Sequence, residues 1–208
     1  MFTLRHGLLI QAPIDLCFAL STHLRVVERV LGMHPVEGRT AGLVTAGDTV
    51  RWEGMRFGFA NYHVSLVPPD TWDPPRFFQA RMITGRFRSF EHDHSFVETA
   101  KGTFLDDRIR FTMPFGRAGD LVGRAVVVPH ILGLMRRRFS LLKRLAETDE
   151  WRDYLPALEL EPHLSSPNIV RPSTSPEGRL PAQIHATLQS WSETSSVQSF
   201  MLDTSVRR

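Results

Sequence analysis

Between Thr49 and Met113 the chain is a succession of strand-like runs, and from Leu121 to Ala146 it carries one helical stripe. The runs are Thr49 to Met55, Phe57 to Val67, Phe77 to Ile83, Phe87 to Val97 and Gly102 to Met113. They are divided by Pro68-Pro69-Asp70, Asp73-Pro74-Pro75, Gly85 and Lys101-Gly102, which are turn-forming residues. Short strands at this spacing predict an antiparallel meander. The sheet must bury one face, and the final helix is the only element long enough to cover it. A curved sheet wrapped over one helix leaves space between the two near the sheet's mouth, where ligands bind in such packings.

The stripe runs through Leu121, Val122, Ala125, Val126, Leu132, Met135, Phe139, Leu142 and Ala146, and the whole of it is expected to face the sheet. Pro129 lacks a backbone donor, so the helix should kink or restart there. Residues beside that bend, Val126, His130, Leu132 and Met135, are the expected cavity wall on the helix side. Trp52, Phe59, Phe78, Phe90 and Phe111 are the expected wall on the strand side. A one-residue slip in strand parity would exchange each for its neighbour.

Ahead of the meander, Leu4, His6, Leu8 and Ile10 alternate as in a strand. After Pro13 the period changes. Ile14, Cys17 and Phe18, then Leu24, Val27, Val30 and Leu31, form two short helical faces, with Ser21 or Thr22 as the cap between them and Gly32 as the stop. A further strand near Arg39 brings the sheet to about six or seven strands. The expected class is α+β.

Composition marks a boundary at Pro156. Residues 157–208 are rich in Ser, Thr and Pro and poor in apolar residues, so they read as a mostly disordered tail after a domain of residues 1–156. Within the tail, Leu180, Ile184, Leu188 and Trp191 recur at helical spacing. The single Cys17 excludes an intrachain disulfide and a Cys-based zinc site. No signal-peptide pattern opens the chain, and no uninterrupted run of about 18 apolar residues is present. A cytoplasmic location is therefore expected. The net charge of +3 is a weak pointer to an anionic partner.

Few residues offer chemistry. His92 and His94 lie two apart on a strand and project from one face. With Glu98 they form an incipient metal set, but no third ligand has the right spacing, so no metal is expected. Their alternative partners are acids such as Glu91 or Asp107. His63, His130, Asp106 and Asp107 are acid–base candidates, although Asp106-Asp107 reads more simply as a hairpin bend. Tyr62 can donate to a ligand carbonyl or simply pack. Cys17, on an apolar helical face, reads as an inert thiol. There is no nucleophile motif or phosphate loop, and no cofactor is implied. Arg136, Arg137, Arg138, Lys143 and Arg144 form a basic strip, either a solvated face or a contact for anionic lipid. Nucleic acid is not expected.

The order of elements, with the residues that carry it, resembles the START-like helix-grip superfamily (SRPBCC, or polyketide cyclase/dehydrase-like), in its bacterial ligand-binding branch. The matching residues are Ile10-Gln11-Ala12-Pro13, Gly47-Asp48-Thr49-Val50-Arg51-Trp52, Arg76-Phe77-Phe78, and Gly85-Arg86-Phe87 with Phe90 to Phe96. Gly102 to Asp107, Met113-Pro114-Phe115-Gly116 and Arg136-Arg137-Arg138-Phe139 complete them. The resemblance extends from Met1 to about Pro156. It implies a hydrophobic cavity between sheet and C-terminal helix, holding a lipid, quinone or polyketide-like molecule. Two further readings stand beside binding: an enzyme of the cyclase or dehydratase sort using the same cavity, and a regulatory interaction module. No catalytic residue is singled out, and nothing in the sequence sets the oligomeric state.

Overall fold

The structure is a computed structural model that describes residues 1–56 and 59–155. The tail, its helical spacing included, lies outside the described residues. β1 (Phe2–Ile10) leads into α1 (Ile14–Thr22) and α2 (Leu24–Leu31). There follow β2 (His34–Gly38), β3 (Thr49–Arg56), β4 (Phe59–Leu66), the two-residue β5 (Trp72–Asp73), β6 (Phe77–Thr84), β7 (Ser89–Thr99) and β8 (Gly102–Thr112). α3 (Gly116–Val122) passes through a π-helical turn (Gly123–Val127) into α4 (Val128–Glu147).

The sheet is antiparallel, in the order β1-β8-β7-β6-β4-β3-β2, with β5 beside β6. First and last strands are neighbours because β1 pairs along its whole length with β8, Phe2 opposite Phe111 and Ile10 opposite Thr103. Register shifts at Pro35/Glu37 and Val64/Ser65 add curvature. The β7–β8 hairpin turns at Gly102, whose φ of +124° suits glycine and whose Cβ would sit 2.2 Å from the Ile10 carbonyl. The expected bend at Asp106-Asp107 is not there. Both residues are central in β8, which alternates buried and half-buried residues along its length.

The two short helices form where the apolar faces place them, but the cap between them is His23 rather than Ser21 or Thr22. Its Nδ1 accepts from the Arg25 amide at 3.2 Å. Thr22 instead donates back to the Phe18 and Ala19 carbonyls. Gly32 ends α2 with φ of 63°. The strand expected near Arg39 is β2, ending at Gly38.

The final helix runs past Pro129 without a break: Val127 and Val128 keep helical backbone, and a π-helical turn precedes the proline that cannot donate. Only its second part is core. Ile131, Met135, Phe139, Leu142 and Ala146 are buried, whereas Leu121, Val122 and Val126 are exposed. The expectation that the whole stripe faces the sheet is thus corrected: in its first part Gly123 is the residue set against Phe2 of β1, and Leu121 points to solvent. The combined stretch Gly116–Glu147 is long and apolar enough by length and composition to cross a membrane, although its second part is the core helix.

Among the described residues, two apolar clusters border the site. Leu24, Met33, Val44, Val50, Trp52 and Val67 pack under α2. Leu4, Ile109, Phe111, Ile131 and Met135 pack under α4.

Candidate functional site

Beside these clusters lies a cavity of about 480 Å³, within the range of small-molecule sites. Its wall draws on both clusters: Leu24, Val50 and Trp52 from one, Ile109, Ile131 and Met135 from the other. Of the residues expected at the wall, Trp52, Phe78, Phe90, Val126, His130 and Met135 line it. Phe111 does not. It points inward as the parity predicts, but stacks on Phe2 at 4.9 Å and is enclosed by its own cluster. Leu132 packs against the edge of that same cluster instead. Phe59 opens β4, and its side chain lies outside the described residues. Tyr62 and His63 also line the cavity. Sequence reasoning missed the contribution of α2 and the segments after it, through Val27, Met33 and Val44, because α2 reads as an ordinary packing helix.

The polar part of the wall is built on one buried carboxylate. Asp107 on β8 is opposite His94 on β7 and His6 on β1 in the strand registers. It is 1% exposed. Arg138 descends from α4, donating Nε to Asp107 Oδ2 at 2.8 Å. His94 Nδ1 lies 2.9 Å from Asp107 Oδ1. Arg138 Nη2 lies 3.1 Å from the same His94 nitrogen. A lone pair on Nδ1 would face the carboxylate, so the proton belongs on Nδ1 and Nε2 keeps the lone pair. His94 stacks on Phe78 at 4.3 Å. The His92 and His94 rings are 3.8 Å apart. His92, His94 and Arg138 line the cavity, with Asp107 behind them.

The charges settle accordingly. Burial alone would raise the Asp107 carboxyl, but the Arg138 charge, with His94 and His92, holds it well below the usual carboxylate range. Burial pushes His94 down to about 3, helped by the neighbouring His92 and opposed by Asp107. His94 is therefore neutral at pH 7. Arg138 departs from the expected basic strip. It is 5% exposed, and its charge is met by Asp107. Asp106 pairs outward with Arg5 at 2.7 Å.

Asp107 is the third donor that spacing alone did not supply: it, His92 and His94 place ligand atoms within 4.8 Å of one another. Yet the set does not fit a metal ion. The Arg138 guanidinium already bonds Asp107 and lies against His94, so a divalent cation there would face a fixed positive charge. Cys17 is buried with its thiol raised to about 11, chiefly by burial, as expected of an inert thiol.

Among the described residues, Ser21 Oγ, Asn61 Oδ1 and His92 Nε2 are buried with no hydrogen-bond partner. His92 Nε2 is 3.2 Å from Asp107 Oδ2 but off the line of a hydrogen bond. All three residues line the cavity. Among the described residues no Asp or Glu does, while Arg81, Arg86 and Arg138 do.

Comparison with solved structures decides what this architecture is. The fold is the START-like helix grip. The di-domain ARO/CYC BexL from the BE-7585A biosynthetic pathway superimposes with a TM-score of 0.57 at 14% identity, over 71% of this chain and 50% of that one. A protein of unknown function, SA2116 from Staphylococcus aureus, gives 0.55 at 11% identity, over 72% and 95%. A START superfamily protein from Mycobacterium smegmatis gives 0.51 at 12% identity, over 71% and 98%. At these identities the likeness establishes the fold. No family model and no curated protein matches the sequence.

Proposed function

We propose that this domain binds a small apolar or amphipathic molecule carrying oxygen functions, in the cavity between the sheet and α4. The observation that carries the reading is the coincidence of an apolar wall with buried polar atoms that lack a protein partner. Such atoms cost roughly 1–3 kcal/mol each when left unpaired, and Ser21, Asn61 and His92 present them to one cavity. A ligand with hydroxyl or carbonyl groups would satisfy them while its body covers Trp52, Phe78, Phe90 and Met135. START-like neighbours such as the ARO/CYC proteins support a ligand-binding or cyclase role for the fold. The finer assignment, a lipid, quinone or polyketide-like ligand, is part of this proposal.

A cyclase or dehydratase is the second reading, favoured by the convergence of His92, His94 and Arg138 on the cavity. Electrostatics weigh against His94 as the base. A group whose conjugate acid has a pKa of about 3 accepts protons poorly at neutral pH, and the Asp107 charge that would raise it is already shared with Arg138. Binding without turnover is therefore preferred.

The test is a panel of fatty acids, quinones and hydroxylated aromatic compounds, read by thermal shift and Trp fluorescence, with native mass spectrometry of freshly purified protein. Oxygenated aromatic ligands should raise the melting temperature more than saturated chains do. Met135→Trp should weaken every binder in a protein that remains folded. If no compound shifts the transition, or if Met135→Trp unfolds the domain, the space is ordinary core and the proposal fails.

A further inference from the structure

The stretch from Phe115 to Gly133 presents its apolar side to solvent. Phe115 is 88% exposed, Leu121 70%, Val122 50% and Val126 46%. Ala118, Ala125, Pro129 and Gly133 are exposed as well, so the outward line is apolar at helical spacing. The most apolar window of Gly116–Glu147 has a mean hydropathy of 1.3 and is only 22% buried. A core helix with that hydropathy would be covered. Phe115 is held in the left-handed backbone region, φ 65°, with its ring in water. That conformation is unfavourable for a bulky residue and points to a role outside packing.

The surroundings indicate what covers this face. Arg117 and Arg124 are exposed, four residues before and three after Leu121. Asp120 is the only acid between Phe115 and Ala146. Exposed Arg86 and Arg88 lie on the β6–β7 connection. Arg86 lines the same cavity as Val122 and Val126, so the basic and apolar residues meet at its mouth. An apolar helix face ringed by arginines fits a surface that is anionic outside and apolar beneath. A second copy of the chain fits less well, because a two-fold contact would set the arginines of each protomer against those of the other. The stretch does not span, since Met135, Arg138 and Phe139 are locked into the domain.

We propose that α3, the π-helical turn and the first turn of α4 dock onto an anionic lipid bilayer. Phe115, Leu121, Val122 and Val126 enter the interface, Arg117, Arg124, Arg86 and Arg88 contact the headgroups, and the cavity mouth faces the acyl region. An apolar ligand then enters and leaves without crossing water.

Vesicle co-sedimentation of the full chain tests this, with no cavity ligand added, so that failure of the binding proposal leaves the result intact. Phosphatidylcholine vesicles containing phosphatidylglycerol should pull the protein down at low salt, and salt should release it. Arg117→Ser and Arg124→Ser should each weaken binding about fivefold. The double change Phe115→Asp, Leu121→Asp should abolish binding with an unaltered melting temperature, since both side chains are largely exposed. Because Cys17 is buried, a Leu121→Cys variant can carry an environment-sensitive dye at that position, whose emission should shift to the blue on anionic vesicles. Protein that stays in the supernatant would overturn the proposal, and so would a Phe115→Asp, Leu121→Asp variant that still binds. Sedimentation velocity showing a wild-type dimer that this variant splits would assign the face to a second copy instead.

Discussion

Arg138 brings a full charge into the interior at a position in phase with the buried side of α4: Ile131, Met135, Arg138, Leu142 and Leu145 follow at helical spacing. Asp107 is likewise in phase with Thr103, Leu105, Ile109 and Phe111 along β8. Neither charge is tolerable there alone, and each is the reason the other is. Asp107→Ala should therefore cost about 3–5 kcal/mol in urea unfolding, because it strands the Arg138 guanidinium. The double change Asp107→Leu, Arg138→Met should recover most of that loss, which a simple packing defect would not do. His94 adds a pH dependence. Its folded pKa of about 3 lies below the unfolded value, so the unfolded chain binds the proton first. Stability is complete above about pH 6.5 and falls as pH drops below it, by roughly 1.4 kcal/mol per unit for this group. His6 and His23, lowered chiefly by burial, act in the same direction. The Asp107 contribution is lost only at still lower pH, below its unfolded value. Urea midpoints at pH 7.5, 6 and 5 should decline in that order, and His94→Gln should flatten the decline.

At the scale of elements, the final helix is two devices in one run of sequence. From Ile131 onward it fills the grip, with Phe139 set edge-on to His6 at 4.7 Å. Before Val127 it presents apolar residues outward. Phe139→Ala should cost about 3–5 kcal/mol, whereas Leu121→Ser should change stability by less than about 0.5 kcal/mol. Chemical unfolding of the two variants distinguishes this arrangement from a helix buried along its length, in which both changes would be costly.

For the whole molecule, the cavity lies beside two packed clusters, and both contribute to its lining. The tail is expected to add nothing to folding. Truncation after Pro156 should leave the thermal midpoint nearly unchanged. A fall of about 8 °C or more, on the order of 2 kcal/mol for a domain of this size, would mean that the tail packs against it.

The local pattern of the chain was enough to determine the strand runs, an irregularity in the helix beside Pro129, the stop at Gly32 and the helix-grip order, because period and turn chemistry act over a few residues. Strand parity was legible too, and Trp52, Phe78 and Phe90 point where alternation puts them. Only the tertiary structure decided which inward residues meet space and which meet each other. Phe111 and Phe90 share a face, yet one is enclosed by Phe2 and the other reaches the cavity. It alone joined His94, Asp107 and Arg138, which are 44 residues apart at the extremes, through strand register and helix placement. It alone also turned Leu121 outward. A helical period states that residues share a side; what lies on that side depends on the tertiary fold.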